Sequence, residues 1–376
     1  MAAVQYHISG FPPTNLNWDK LTPLLGPASA AIARFDGVLT GMLNARVLLS
    51  PLVTQEAVLS SKIEGTVSTM GEVLEFEAGQ APPYQSEEEK IQKIGDIYEI
   101  INYRKAIQQA EIRLSQLPLS GRLIREAHAT LLTGVRGQNK APGQYRKTQN
   151  WIGPRGCSVE EARFVPIPAN QLKDAVTSWE HYIQSKQKDI LVQLAIAHAE
   201  FEAIHPFLDG NGRLGRMLIP LFLYDRKLLS TPTFYISEFL ESNRDEYVER
   251  LLAVSRDKDW TGWCVFFLNA LLKQAGANTT KAKDILSLYE AKKSWVVRET
   301  HSQHAIRALD FVFGLPVFAA SDFVKQSGIP EMTAKRIMRI FRDGGLLDVW
   351  RAASGQRPAI LAFRELLNIA EGKSVF

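Results

Sequence analysis

One short segment, residues 205–216, concentrates the side chains that could carry chemistry. His205 bears the one kind of side chain whose unperturbed pKa lies near physiological pH, so it can act as a base. Asp209 offers carboxylate oxygens, which suit a Mg²⁺ ion that bridges two phosphates. Arg213 and Arg216 are three residues apart, so on a helix they project from one face and can grip phosphate together. The segment therefore predicts a site for phosphoryl or nucleotidyl transfer.

The same segment places Gly210 and Gly212 on either side of Asn211. Glycines let backbone N–H groups approach a ligand closely. A helix that begins near Asn211 would present unpaired N–H donors and the positive end of its dipole, and both favour an anion. A histidine at a helix end is more often structural, and a Gly-Asn-Gly is usually a turn, but their occurrence together with two arginines favours an active site. Three further residues are expected to pack or to space the loop: Phe207, Leu214 and Gly215.

The elements that must position this segment are mostly helices. Residues 190–204 are apolar on nearly every helical face, which is typical of a central buried helix. Pro206 opposes continuation of that helix, and a second helix is expected to begin inside the segment and to reach about residue 224. Two β-prone fragments, 150–152 and 163–165, predict a small hairpin among the helices. The predicted fold class is therefore mainly α.

The segment from His205 to Arg216 resembles the signature of the Fic family. That signature consists of His, any residue, Phe, any residue, Asp or Glu, Gly-Asn-Gly-Arg, any two residues and Arg, and every fixed position is present. The resemblance implies a Fic-type helical bundle. It also implies a protein adenylyltransferase that transfers AMP from ATP to a Ser, Thr or Tyr hydroxyl of a target protein, with release of pyrophosphate. The implied ligands are ATP and Mg²⁺, and the chain itself is one candidate target.

The resemblance also implies a role for each residue of the segment. His205 would deprotonate the target hydroxyl, which then attacks the α-phosphate of ATP. Asp209 would hold Mg²⁺ on the α- and β-phosphates. The implied nucleotide-binding residues are the anion hole of Gly210, Asn211 (backbone and side chain) and Gly212, the distal-phosphate ligands Arg213 and Arg216, and the intervening Leu214 and Gly215.

Residues 143–168 resemble the β-hairpin flap that covers the site in that family, where the flap main chain aligns the target segment by strand addition. Arg163 and Phe164 fall where the flap approaches the nucleotide, although a scaffolding role suits them equally. A later helix resembles the one that packs near the base, where relatives often have two adjacent tyrosines. Val248 stands at the second of those positions here, so an adenine contact depends on Tyr247 alone.

Residues 54–66 predict a helix that stops at Gly65. Glu64 would lie in its last turn, where the helix dipole disfavours a negative charge by about 0.3–1 kcal/mol. Exposed acids at helix ends are common, but Ser60 lies four residues earlier on the same face. Ser, any three residues, Glu and Gly resemble the inhibitory helix of Fic proteins that contain their own inhibitor. The resemblance implies that Glu64 reaches Arg216 and occupies the place of the ATP γ-phosphate.

Residues 320–347 have the pattern of a helix-turn-helix, with Gly328 in the turn and Pro330 near the start of the second helix. Residues 346–350 and 358–363 would be the two strands of a wing, so the C-terminal part resembles a winged-helix domain. Its exposed cations are Lys335, Arg336 and Arg339. DNA binding and protein docking or dimerisation both fit this domain, and the few cations do not decide between them.

The composition excludes several classes of protein. The 376 residues are 45% hydrophobic and 22% charged, as in a soluble globular protein of two or three domains. The net charge of +4 arises from 44 basic and 40 acidic residues, so any basic patch must be local. Cys157 and Cys264 provide neither a disulfide framework nor a zinc site. No apolar run is long enough for a bilayer and no secretory leader opens the chain, so a cytoplasmic location without membrane contact is expected.

Four regions are predicted along the chain. They are an N-terminal helical domain with the inhibitory helix (1–110), a catalytic core (111–275), a helical linker (276–306) and a winged-helix-like domain (307–376). The chain is expected to form a homodimer. Two alternatives stay open: a Fic-type enzyme that uses another donor or removes AMP, and a nucleotide-sensing regulator that binds DNA and in which His205 is dispensable.

Overall fold

The structure, a computed structural model, describes residues 3–80, 84–154, 156–355 and 357–374. Helices dominate it, which confirms the predicted mainly α fold. The helices are α1 Trp18–Thr40, α2 Ala45–Leu48, α3 Ser50–Ile63, α4 Met70–Glu77, α5 Glu87–Leu114, α6 Gly121–Leu131, α7 Leu172–Gln184, α8 Ile190–Ile204, α9 Asn211–Asp225, α10 Ser237–Ser242, α11 Arg244–Asp257, α12 Trp260–Thr300, α13 Ala305–Gly314, α14 Ala320–Gln326, α15 Glu331–Asp343 and α16 Arg364–Glu371. The strands are β1 Val4–Gln5, β2 Phe164–Val165, β3 Val317–Ala319, β4 Asp348–Arg351 and β5 Ile360–Ala362. Within the described ranges, no helix is both long and apolar enough to cross a bilayer.

Two compact units interleave along the sequence. The first unit comprises residues 1–36, 59–66 and 101–276, and the second comprises residues 37–58, 67–100 and 277–376. Four helices contribute residues to both units, namely α1, α3, α5 and α12. The segment 205–216, the flap and the predicted inhibitory residues all belong to the first unit.

Helix α8 packs against α7 and α9 in the first unit. All of its residues except Ile190 and Glu202 are buried, which confirms the expected central helix. Its first N–H groups are capped by Asp189, whose carboxylate accepts hydrogen bonds from Leu191 (2.8 Å) and Val192 (3.0 Å). His205 follows α8 directly, so the burial of α8 fixes the position of the His205 backbone.

The predicted hairpin is present in a reduced form. Ile152 and Phe164 form one antiparallel bridge, in which the Ile152 N–H donates to the Phe164 carbonyl at 2.8 Å. The other edge of β2 pairs in parallel with β1, with Val4 opposite Phe164. The sequence did not predict β1, because two residues are too few to show an alternating pattern.

The predicted inhibitory helix begins and ends earlier than expected. Instead of residues 54–66, α3 covers Ser50–Ile63. Glu64 lies in the turn that follows, and Gly65 has a φ of +97°. This left-handed conformation favours glycine, so Gly65 reverses the chain directly after Glu64.

In the second unit, α14 and α15 form the predicted helix-turn-helix, with Gly328 (φ +66°) in the turn. Strands β4 and β5 correspond to the predicted wing and pair antiparallel. The sequence missed β3, which pairs antiparallel with β5 and completes a sheet of order β3-β5-β4. All three residues of β3 are buried, and so short an apolar run shows no strand periodicity. This architecture is compatible with the predicted winged helix.

Two of the three α15 cations that the sequence offered for DNA, Lys335 and Arg336, are already engaged within the second unit. Lys335 pairs with Glu331 at 2.6 Å, one helical turn away. Arg336 donates to the Thr300 carbonyl at 2.9 Å. Arg342 pairs with the neighbouring Asp343 at 3.2 Å. The exposed face of α15 therefore offers less positive charge to a phosphate backbone than its sequence suggests.

Candidate active site

The residues predicted to do chemistry converge on the junction between α8 and α9. His205 ends α8 with a φ of +48°, a left-handed conformation that is uncommon for a residue with a side chain. The next residues turn back, and Gly210 adopts φ +77° immediately before α9 begins at Asn211. The tight loop between the two helices therefore sets His205 beside the N-terminus of α9.

Arg146, a flap residue that the sequence did not single out, holds the loop from outside. It is 3% exposed, and its guanidinium donates to the main-chain carbonyls of His205 (3.0 Å) and Ile204 (3.3 Å). Its own N–H donates to the Pro206 carbonyl at 2.9 Å. Burial lowers the pKa of Arg146 to about 10, and removal of this side chain would leave several main-chain carbonyls unpaired.

His128 on α6 holds the other end of the loop. Its Nε2 lies 2.9 Å from the Asp209 carbonyl, and its Nδ1 accepts the Gly143 N–H at 2.9 Å. Because Nδ1 accepts, Nε2 must carry the proton that is donated to Asp209. Burial lowers the pKa of His128 to about 4, so this neutral tautomer is the form present near pH 7. The imidazole also stacks on Phe207, with ring centroids 3.8 Å apart.

The Asn211 side chain closes the loop on itself. Its Oδ1 accepts the Phe207 N–H and its Nδ2 donates to the Phe207 carbonyl, both at 2.9 Å. The sequence placed this side chain in an anion hole, but here it braces the backbone. Asn211 and Gly212 are the first residues of α9, so their N–H groups have no acceptor within the helix and remain suited to an anion.

His205 is half-buried and has the geometry of a base. Its Nδ1 lies 3.3 Å from the Glu202 carbonyl, which can only accept, so Nδ1 carries the proton and Nε2 keeps a lone pair. Burial lowers the pKa of His205 to about 4, although the nearby Glu64 opposes this shift. The imidazole is therefore neutral at physiological pH and can accept a proton.

Arg213 and Arg216, the predicted phosphate ligands, are both 1% exposed. Arg216 Nε donates to Ser60 Oγ at 3.0 Å, and its Nη2 donates to the Ser60 carbonyl and to Glu64 Oε1, both at 2.7 Å. Arg213 Nη2 lies 3.6 Å from Asp209 Oδ1. Two of the three predicted inhibitory residues, Ser60 and Glu64, thus meet at Arg216, and Gly65 follows them in the turn.

The Glu64 carboxylate lies against Gly212 in the first turn of α9. A Cβ at Gly212 would overlap the Glu64 carboxylate, so only glycine permits this approach. Burial by itself favours the neutral acid, but the charge and hydrogen bond of Arg216 outweigh it and lower the pKa of Glu64. An ionised carboxylate therefore stands where the helix N-terminus and Arg216 favour an anion.

Asp209 is the candidate Mg²⁺ ligand. Its side chain is 29% exposed, and its Oδ1 accepts the Gly210 N–H at 2.6 Å. No cluster of three or more His, Cys, Asp or Glu side chains suited to a metal occurs among the described residues. A single carboxylate nevertheless fits Mg²⁺, which commonly binds one or two carboxylates together with substrate phosphates and water. Gly137 leaves room at this carboxylate, since a Cβ there would lie 2.9 Å from Oδ2.

The flap residues and Tyr247 differ in their exposure. Phe164 is 6% exposed and belongs to the core, whereas Arg163 is exposed. Tyr247 is 3% exposed, and its hydroxyl lies 2.9 Å from His198 Nε2. His198 and the surrounding aromatic core cover the Tyr247 side chain in this conformation, and an adenine contact at Tyr247 stays a prediction.

Two family profiles match the chain. The profile described as Fic/DOC family N-terminal matches residues 22–111, and the one described as Fic/DOC family matches residues 118–223. Together they cover just over half of the 376 residues. The chain therefore belongs to the Fic/DOC family.

Curated relatives match short segments. A probable protein adenylyltransferase of Aquifex aeolicus is 31% identical over 91 residues, which are 24% of this chain and 26% of the relative. The protein adenylyltransferase fic-1 of Caenorhabditis elegans is 35% identical over 85 residues, which are 22% of this chain and 15% of the relative. The chain thus matches about a quarter or less of these relatives' length.

Solved structures with a similar fold match over greater lengths. A Fic family protein from Desulfovibrio desulfuricans G20 has a TM-score of 0.57 at 18% identity and covers 94% of this chain and 98% of its own. A Fic domain containing signaling protein from Bacteroides thetaiotaomicron has a TM-score of 0.53 at 18% identity and covers 71% of this chain and 96% of its own. These similarities show that the chain has the fold of this family.

Proposed function

We propose that the chain is a protein adenylyltransferase that transfers AMP from ATP to a Ser, Thr or Tyr hydroxyl of a target protein. The observation that supports this most is the neutral His205, with a free Nε2, held beside the N-terminus of α9. A base next to an anion site has the parts needed to deprotonate a hydroxyl while a phosphate is bound. The names of the curated relatives point to the same reaction.

The roles of the residues follow from their positions. His205 accepts the proton of the target hydroxyl at Nε2 as the hydroxyl oxygen attacks the α-phosphate. The N–H groups of Asn211 and Gly212 and the guanidinium of Arg216 bind phosphate oxygens. Asp209 would hold Mg²⁺, which would offset the negative charge of the phosphates.

The proposal also includes inhibition of this site by Glu64. Its carboxylate takes the Arg216 hydrogen bond and the space over Gly212 that a distal phosphate needs. Two contacts of the first unit hold the inhibitory turn in place: Arg244 donates to the Ile63 carbonyl at 3.2 Å, and Lys62 pairs with Glu241 at 2.8 Å. ATP must therefore displace Glu64 before its phosphates can align.

A nucleotide-sensing DNA-binding regulator is less well supported, because α15 presents mostly paired cations. Such a regulator would also need no base, whereas His205 is held in a form ready to accept a proton. The homodimer stays a prediction, as does a target protein with a Ser, Thr or Tyr hydroxyl.

The test is incubation of the Glu64→Gly chain with Mg²⁺ and each labelled nucleoside triphosphate, followed by mass mapping of the modified hydroxyls, including its own. AMP from ATP on a Ser, Thr or Tyr is the expected result. Asp257→Gly is the matched control, because Asp257 is an exposed acid at the C-terminal end of α11 in the same unit, outside the flap. Transfer of a different group would favour another donor. Removal of AMP from a premodified protein, without any transfer, would favour the reverse reaction.

A further inference from the structure

Two glycines of α9 bring two carboxyl groups onto one face of that helix. Gly212 and Gly215 are three residues apart, so they share a face and are separated by a rise of about 4.5 Å. A Cβ at Gly212 would overlap the Glu64 carboxylate, and a Cβ at Gly215 would overlap the Glu202 carboxylate. Glu202 therefore stands next to the place of Glu64, about one turn further along α9.

Glu202 has a buried carboxyl oxygen that lacks a partner among the described residues, whereas Glu64 Oε1 is bound by Arg216. That Glu202 atom is Oε1. A buried polar atom left unsatisfied costs about 1–3 kcal/mol, so such an atom in a native protein calls for an explanation. Glu202 is also one of only two residues of α8 that are not fully buried, and its carbonyl lies 3.3 Å from the Nδ1 of His205. The orphaned oxygen thus belongs to the active site.

The charged and titratable groups that face Glu202 come from three other elements. They are Arg216 on α9, Glu64 after α3 and Tyr247 on α11. Burial raises the pKa of Glu202 to about 7, with Arg216 opposing the shift and Glu64 adding to it. Near neutral pH a large fraction of this carboxyl group is therefore protonated, and a protonated carboxyl donates a hydrogen bond that a carboxylate cannot.

We propose that Glu202 is a phosphate-binding residue, whose carboxylic acid donates a hydrogen bond to an oxygen of the distal phosphate that replaces Glu64. This inference rests on the proposed function, since it takes ATP as the ligand. The arriving phosphate brings more negative charge than the Glu64 carboxylate that it displaces, and this charge favours the protonated form of Glu202 further. An ionised Glu202 would instead repel the phosphate.

The test is calorimetric binding of ATP and of AMP to the full chain with Glu64→Gly, combined with Glu202→Gln or Glu202→Ala. Loss of a hydrogen bond to a charged group predicts about tenfold weaker ATP binding for Glu202→Ala. AMP lacks the distal phosphates, so its affinity is expected to stay the same and also to report that the variant is folded. Glu202→Gln keeps a donor and is expected to keep the affinity for ATP.

The pH dependence supplies a second readout. With Glu202 present, ATP binding is expected to weaken from about pH 6 to about pH 8.5, as the carboxyl group ionises. The ATP phosphate titrates both with Glu202 present and with Glu202→Gln, so the difference between the two pH profiles reports on Glu202 alone. The profile of Glu202→Gln is expected to be flatter. Unchanged ATP affinity in Glu202→Ala, or the same pH profile in Glu202→Gln, would overturn the inference. Failure of the Glu64→Gly chain to bind ATP at all would refute the proposed function itself, and the inference with it.

Discussion

The arginines of α9 and the cations of α15 have similar spacings in sequence but different surroundings. Arg213 and Arg216 are each 1% exposed, and Arg216 is bound by Ser60 and Glu64 from a distant part of the chain. On α15, the Lys335 side chain is 53% exposed and pairs with Glu331 on its own helix. A buried charge requires compensation, whereas an exposed pair contributes little.

The difference shows that burial separates a ligand site from a solvated helix face better than spacing does. At α9 the compensating acid, Glu64, comes from a short turn after α3, so another anion can replace it. At α15 the Lys335–Glu331 pair is local and exposed, so no distant acid has to compensate it. Four measurements can break or sharpen this contrast.

The largest effect is expected for His205→Ala in the Glu64→Gly chain. Loss of a positioned base lowers the rate of AMP incorporation roughly 10²- to 10⁴-fold. Lys335→Ala in the same chain should leave that rate unchanged, because Lys335 belongs to the exposed pair on α15. The assay is incorporation of labelled AMP, with the melting temperature as a folding check. A rate for His205→Ala within a factor of three of its parent would refute the role of the base.

Glu64→Gly should give the second largest effect. ATP then no longer displaces a charged hydrogen bond of about 1.5–3 kcal/mol, so the rate is expected to rise at least roughly tenfold. The exposed Asp257→Gly, outside the flap, should leave the rate unchanged. Equal rates for the Glu64→Gly and native chains would show that Glu64 does not inhibit the site.

Acid should destabilise the loop through His128. Its folded pKa is lowered to about 4, whereas in the unfolded chain it is about 6.5, so only the unfolded chain binds this proton between those values. Stability is therefore expected to fall as the pH drops from about 6.5 to about 4, by at most about 3 kcal/mol from this residue. Urea unfolding across that range should show a shallower decline in His128→Gln than in the native chain. The surface variant His181→Gln should keep the native slope. Identical slopes in all three proteins would contradict the role of a neutral His128 in holding the loop.

The smallest effect is expected on α15. Removal of an exposed pair by Lys335→Ala should change the free energy of unfolding by less than about 0.5 kcal/mol. A gel shift with duplex DNA at low and moderate salt should show weak binding that the higher salt abolishes. Tight, salt-resistant binding that Arg339→Ala removes would instead indicate a DNA-binding function for this domain.

The sequence was most informative where the chemistry is local. His205, Asp209, the glycines and the arginines lie within one segment, so their types and spacing predicted the site. The pairing of Glu64 with Arg216 joins residues 152 positions apart, and only the family resemblance suggested it. His128 reaches Asp209 across 81 positions, and no periodicity reports such a contact.

Three features of the site that the sequence did not show also have physical reasons. Asn211 was expected to face a ligand, but a short amide in a tight loop can satisfy the loop's own backbone at both ends. Tyr247 was expected to face adenine, but its ring is covered by His198 and Trp263, which are distant in sequence. Glu202 was not singled out from the sequence. Its distinguishing property is a buried carboxyl oxygen without a hydrogen-bonding partner among the described residues, and only the folded structure reveals this.

The most direct test of nucleotidyl transfer at residues 205–216 compares two positions of a radiolabel in ATP. The Glu64→Gly chain is incubated with Mg²⁺ and with ATP labelled at either the α- or the γ-phosphate, and protein-bound label is counted. The structure leads us to expect label from the α-phosphate on protein hydroxyls, none from the γ-phosphate, and none of either with His205→Ala. Retention of the γ-label would show phosphoryl transfer instead, and α-label that persists in His205→Ala would show that this histidine is not the base.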